Sequence, residues 1–232
     1  MLTCLCDALY GDVGAATVKA LEHAGCEVVF PEDQTCCGQP PFNAGDWSSA
    51  RPIAERTIRV FGMGQPDQIP IVTPSASCAA MVRHGYKELI PGFEAGPTYE
   101  LCEFIVKVLG RTEWGGEVSP RKAALHLACH GRALGLQDEQ ERLLHSIRGV
   151  QLVDFGSPEQ CCGFGGSFCV THGMVSEGIG LEKLARIEEA GAEQIVSGDM
   201  GCLAHLTGLI SKNGMKLKTA HIAQVLAEAV GP

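Results

Sequence analysis

Eight of the twelve cysteines in this 232-residue chain fall into two sets of nearly identical spacing. Cys4, Cys36, Cys37 and Cys78 form the first set; Cys129, Cys161, Cys162 and Cys202 form the second. Gly38 and Gly163 complete a Cys-Cys-Gly triplet in each. The interval from first cysteine to doublet is 32 positions in both sets, and from doublet to last cysteine it is 41 in one and 40 in the other. Matching order and spacing over such intervals implies a duplicated fold in which each half gathers four thiols from distant parts of the chain. Four thiols per half point to soft-metal sites, with iron–sulfur clusters as the leading candidates.

The rest of the composition narrows the setting. A chain that is 45% hydrophobic can bury a core, and its length suits one large or two small domains. No apolar run is long enough to cross a bilayer and no secretory signal is recognisable, so the expected location is the cytoplasm. In that reducing compartment cysteine clusters more often bind metal or do redox chemistry than form disulfides. The net charge of −9 argues against a nucleic-acid partner, because phosphate binding needs a basic surface.

The repeat extends past the cysteines. Thr98 to Gly110 aligns with Thr219 to Gly231, and both segments space apolar residues as an amphipathic helix ending at glycine. The junction falls near Arg111–Arg121, a stretch with the Gly, Glu and Pro content of a linker. Strands are expected at 27–30 and 69–73 in the first half, and at 123–128, 151–155, 194–197 and 216–219 in the second. Helices are expected at 14–25, 48–61, 79–89, 137–147, 175–190 and 203–213. Alternating strands and helices imply parallel βαβ units, with the cysteines at the carboxyl edge of the sheets. Only Met1-Leu2-Thr3 precedes Cys4 where a full strand precedes Cys129. The expectation is therefore that further residues of a first strand lie upstream.

Four thiolates per half suit a [4Fe–4S] cluster. Zinc is the alternative, although zinc ribbons pair cysteines two residues apart and no CxxC occurs here. Gly163-Phe164-Gly165-Gly166 lacks the GxGxxG order of a dinucleotide loop, and no GxSxG or HExxH is present. Cys26 and Cys102 read as small buried hydrophobes. Cys6 and Cys169 lie nearer the sets in sequence but are not counted as ligands. Around Cys129, His130 is open to a role in hydrogen bonding to a cluster, whereas His126 reads as an ordinary strand-end histidine. His84 and His205 read as surface or packing residues.

Thr35-Cys36-Cys37-Gly38-Gln39-Pro40 and the run Ser75 to His84 resemble the first repeat of the lactate utilisation protein A family. Cys161 to Phe168, with His126, Cys129 and His130, resembles the second. That family belongs to the wider CCG (cysteine-rich) group, which also includes a component of heterodisulfide reductase and the iron–sulfur components of glycolate- and glycerol-3-phosphate-oxidising complexes. The resemblance implies an α/β protein of two pseudo-symmetric CCG domains, at 1–112 and 121–232, each a small parallel sheet flanked by helices. It implies one or two [4Fe–4S] clusters in a cytosolic system that oxidises L-lactate to pyruvate with lactate utilisation proteins B and C. Zinc is possible in one site, because some repeats in the wider group hold it. The fuller CCG pattern carries a fifth cysteine in each repeat, and here Ser75 and Asp199 stand at those positions. A four-thiolate cubane is therefore expected rather than the non-cubane cluster of heterodisulfide reductase. Gly38, Gly163, His130, Ser75 and Asp199 are expected to surround the clusters without ligating them.

Overall fold

The computed structural model describes residues 1–231. The first half opens with α1 (Cys4–Leu9) and α2 (Gly11–His23), followed by the short α3 (Gln39–Asn43) and α4 (Trp47–Val60). Strand β1 (Ile71–Thr73) leads into α5 (Ala76–Ala80), a π-helical turn at Met81–Gly85 and α6 (Tyr86–Leu89). Strand β2 (Thr98–Glu100) leads into α7 (Leu101–Glu103), which continues as a second π-helical turn at Phe104–Val108. The second half begins with β3 (Glu117–His126), α8 (Cys129–Ala133), α9 (Glu139–His145) and β4 (Arg148–Leu152). It continues through α10 (Phe168–Thr171), α11 (Gly173–Glu189), β5 (Gln194–Ser197) and α12 (Met200–Lys212), ending on β6 (Lys218–His221) and α13 (Ile222–Ala229).

The protein is thus α/β, with two small parallel sheets flanked by helices. The second half carries four parallel strands in the order β4-β3-β5-β6, with Leu125 beside Val196 and Val196 beside Ala220. Both faces of its central strands are covered where they are buried, so residues 123–125 of β3 and 195–196 of β5 are apolar without alternation. Ala123, Leu125 and Val196 point to one core with α2, α7, α9 and α13, while Ala124 and Ile195 point to another with α11 and α12. A smaller cluster built on Ile71, Met81, Val82, Tyr86 and Leu89 belongs to the first half alone.

Two expectations fail here. Residues 27–30 form no strand, and Val29 and Phe30 are exposed. A strand exists only when a neighbour takes its hydrogen bonds. In the second half β4 pairs with β3; among the described residues no strand runs beside residues 27–30, and residues 1–3 lie in the corresponding place. There the Met1 amine donates to Val72 O at 2.6 Å and Leu2 N to Gln34 Oε1 at 2.7 Å. The first-half sheet therefore has two strands, β1 and β2, paired with Val72 beside Tyr99.

The second failure is the linker. Residues 111–121 are not a loose connection: β3 starts at Glu117, and Trp114 is buried with its indole Nε1 donating to Leu226 O at 2.8 Å. Its core also contains Ala20 and Leu21 of the first half and Ile222, Val225 and Leu226 of the second, so the halves share apolar packing. Gln224 Nε2 donates to Asp12 Oδ2 at 2.6 Å across the same α2–α13 contact. Among the described residues no helix is long and apolar enough to cross a membrane.

Candidate metal centre

The carboxyl ends of the strands converge, and each cysteine is delivered there by a defined local structure. Cys4 opens α1, whose Thr3 cap accepts Cys6 N; Cys129 opens α8 directly after β3. Cys78 lies in the first turn of α5, capped by Ser75, and Cys202 in the first turn of α12, capped by Asp199. Each doublet sits in a loop, and Gly38 and Gly163 follow with φ of 85° and 91°. That left-handed conformation favours glycine, and a side chain at Gly163 would collide with Ser176 O. The turn aims Gly38 N at Cys36 Sγ (3.4 Å) and Gly163 N at Cys161 Sγ (3.3 Å).

The two sets repeat one pattern of burial. The second doublet cysteine pairs with the last cysteine in the interior: Cys37 and Cys78 sulfurs lie 3.3 Å apart, and Cys162 and Cys202 sulfurs 2.8 Å. The remaining two are more open in each half, with Cys4, Cys129 and Cys161 exposed and Cys36 intermediate. Cys4 Sγ is 3.6 Å from Cys36 Sγ, and Cys129 Sγ is 3.7 Å from His130 Nδ1. All eight cysteines line one cavity of about 290 Å³, together with Gln39, Ser75, His126, His130, Phe164 and Asp199.

The cavity lies where the halves meet. Asp199 Oδ2 accepts from Ser75 Oγ and from Ser77 N, both at 3.1 Å, while its Oδ1 accepts from Gly201 N. Gln39 Nε2 reaches Ser77 O at 3.0 Å and His130 Nε2 at 3.3 Å. The two residues standing where the fuller pattern has cysteines are thus helix caps that join the halves. Cys6 and Cys102 are fully buried, and Cys169 Sγ donates to Gly166 O at 3.1 Å; none of the three lines the cavity. His84 is exposed, and His205 Nε2 lies 3.4 Å from Ser176 Oγ, which donates to Gly163 O.

The electrostatics fit a cationic occupant. Hydrogen bonds from the Cys37 and Cys4 thiols hold Cys36 far below the usual thiol range, while the same contacts push Cys37 and Cys4 up. Cys161 is raised by the Cys162 thiol beside it and by burial. Thiols so crowded lose their protons together only when a cation replaces them. Eight soft sulfurs face the cavity, and among the described residues Asp199 is the only carboxylate on its wall. Residues capable of holding a metal or cluster are therefore the four thiols of each set.

Two features escaped the sequence reading. Lys183 is fully buried, donating from Nζ to the carbonyls of Ser157, Pro158 and Gln160 at 3.0–3.4 Å, and burial lowers its pKa to about 8. The only signal in the sequence was its place between Gly180 and Ile187 on the apolar face of α11. His126 is also buried, with Nδ1 3.4 Å from Pro158 O, and burial lowers its pKa to about 3, so the ring is neutral.

The cysteine-rich domain family model matches residues 1–83 and 123–207, the two segments that carry the two sets. The chain is 42% identical over 235 residues to lactate utilization protein A of Geobacillus kaustophilus (strain HTA426), covering 97% of this chain and 96% of the relative. It is 38% identical over 239 residues to lactate utilization protein A 2 of Bacillus cereus (strain Q1), with 99% and 97% covered. Lactate utilization protein A 1 of Bacillus anthracis (strain CDC 684 / NRRL 3495) matches equally, at 38%. The repeated Cys-Cys-Gly sites, the paired parallel sheets and these matches place the chain in the lactate utilization protein A family of cysteine-rich-domain proteins.

Proposed function

We propose that this protein is the iron–sulfur electron-transfer component of an L-lactate-oxidising system that yields pyruvate. The observation that carries the reading is the convergence of eight thiols, four from each half, on one cavity at the carboxyl edge of the sheets. Relatives named for lactate utilization support the substrate class. Oxidation of lactate to pyruvate releases two electrons and two protons. A thiolate-bound iron–sulfur cluster supplies one-electron acceptance without taking up substrate.

The chain's own residues create the setting. Cys36, Cys37, Cys78 and Cys4 would hold one group, and Cys129, Cys161, Cys162 and Cys202 the other. Gly38 N and Gly163 N donate to ligand sulfurs and moderate their charge. The buried Lys183 ammonium stands behind the second set and offsets its negative charge. Dehydrogenation and the final acceptor belong to partners, for which lactate utilisation proteins B and C are the candidates. Zinc in one or both sets, with a scaffold role, is the competing reading, since the same four-thiol donors suit it.

The test is anaerobic mixing of the purified chain with L-lactate, with and without those two partners. Lactate-dependent bleaching of the chromophore is expected only when the partners are present. Lactate oxidation by the chain alone, or a colourless chain that stays inert in the complete mixture, would overturn the proposal. Glycolate in place of lactate reads the substrate preference.

A further inference from the structure

His126 ends β3 at the inner wall of the cavity and is 1% exposed. Its Nδ1 faces the carbonyl of Pro158 at 3.4 Å, and Lys183 Nζ donates to that same oxygen at 3.3 Å. A carbonyl can only accept, so Nδ1 carries the ring proton and Nε2 carries the lone pair. Nε2 is buried without a hydrogen-bond partner. The ring brings one nitrogen into a group with the sulfurs of Cys162 and Cys202 in which the donor atoms are all within 4.8 Å of one another. A buried acceptor left unmatched beside two buried thiols is a cost that a bound cation would remove.

We propose that His126 Nε2 is a fifth protein donor to the metal group held by the second thiol set. This rests on the reading that the set holds a metal. Lys183 takes part as a positioning residue: by ordering residues 157–160 it presents the carbonyl that fixes the imidazole tautomer. The donor has no counterpart in the first half. With Cys4 aligned to Cys129, the place of His126 falls on Met1, whose amine is directed to Val72 O. The first centre is then all sulfur, and the second is sulfur with one neutral nitrogen. A nitrogen donor in one centre and none in the other makes the two centres differ in ligand field and potential.

The test uses the full chain grown with 15N-histidine and purified anaerobically, with iron, sulfide and zinc measured first. Pulsed EPR of the reduced protein is expected to show a strong, directly bonded histidine nitrogen coupling. The coupling should vanish in His126→Gln with iron retained and persist in His130→Gln, and His126→Gln should shift the potential of one centre only. If the second set holds zinc, zinc X-ray absorption should show one nitrogen in the shell, lost in the same variant. Metal bound by sulfur alone, or a coupling that survives His126→Gln, overturns this inference and leaves the proposed function standing. A second set without metal overturns this inference alone, whereas a chain with no iron in either set overturns the proposed function as well.

Discussion

Ser75 Oγ donates to Asp199 Oδ2 across 3.1 Å, so the two helix caps that stand at equivalent places in the repeats bind each other. Each cap also orders the helix turn carrying a cavity cysteine, through Cys78 N on Ser75 Oγ and Gly201 N on Asp199 Oδ1. One contact therefore ties the two sets together. Asp199→Ala would leave the Ser75 hydroxyl, Ser77 N and Gly201 N without their acceptor. A loss of about 2–4 kcal/mol is expected from a buried carboxylate that caps a helix and accepts three hydrogen bonds. Anaerobic urea denaturation checks this; a change below about 0.5 kcal/mol would show that the bridge is not a structural joint.

Trp114 tests whether the junction belongs to the core. Trp114→Ala should cost about 3–5 kcal/mol, the range for deleting a large buried aromatic, and should leave Leu226 O without its indole donor. Limited proteolysis of the wild-type protein should spare residues 111–121, whereas the variant should be cut there. Ready cleavage of the wild type in this segment would restore the linker reading.

Glu100 makes stability depend on pH. It is fully buried, and burial lifts its carboxyl to about 7 from 4.5, despite the Cys102 and Glu103 amides and Gln140 donating to it. A folded-state pKa above the unfolded one means that the stability it contributes is full below about pH 4.5 and is lost as pH rises through about 7. Glu100→Gln removes that titration. The stability of the variant relative to wild type should rise by about 3 kcal/mol between the acid and alkaline sides of this window. A difference independent of pH would show that folding does not shift the Glu100 carboxyl.

The two sets should fill independently. Cys37→Ser and Cys162→Ser each remove the buried doublet sulfur of one set, and each should lower total bound metal by about half if both sets are occupied. Different metals lost in the two variants would show that the halves hold different groups. Complete loss in either variant would mean a single shared centre.

What the sequence revealed, and what it hid, follows from where each feature is encoded. The cysteine sets and their glycines are written in spacing, and the strand at 194–197 in a β-branched run between helical patterns, so both were legible. The strand expected at 27–30 was not, because Val28 and Val29 carry strand propensity whether or not a neighbour exists to pair with them. Trp114 sits among glycines and charges that look like a linker, and only the packing of α2 against α13 makes its place interior. His126 looked ordinary because the fate of Nε2 depends on residues 157–160 folding back onto Nδ1, with Lys183 behind them. Repeat spacing likewise predicts two sites but not that they face one cavity, since that depends on how the halves dock.

The most direct measurement is the iron, acid-labile sulfide and zinc content of anaerobically purified protein, taken with its EPR spectrum before and after dithionite. Two thiolate-bound [4Fe–4S] groups would give about eight irons with matching sulfide and a signal that appears on reduction; one occupied set would give about four. Zinc without iron or sulfide, from cells supplied with iron, would contradict the account and leave the thiol sets as structural sites.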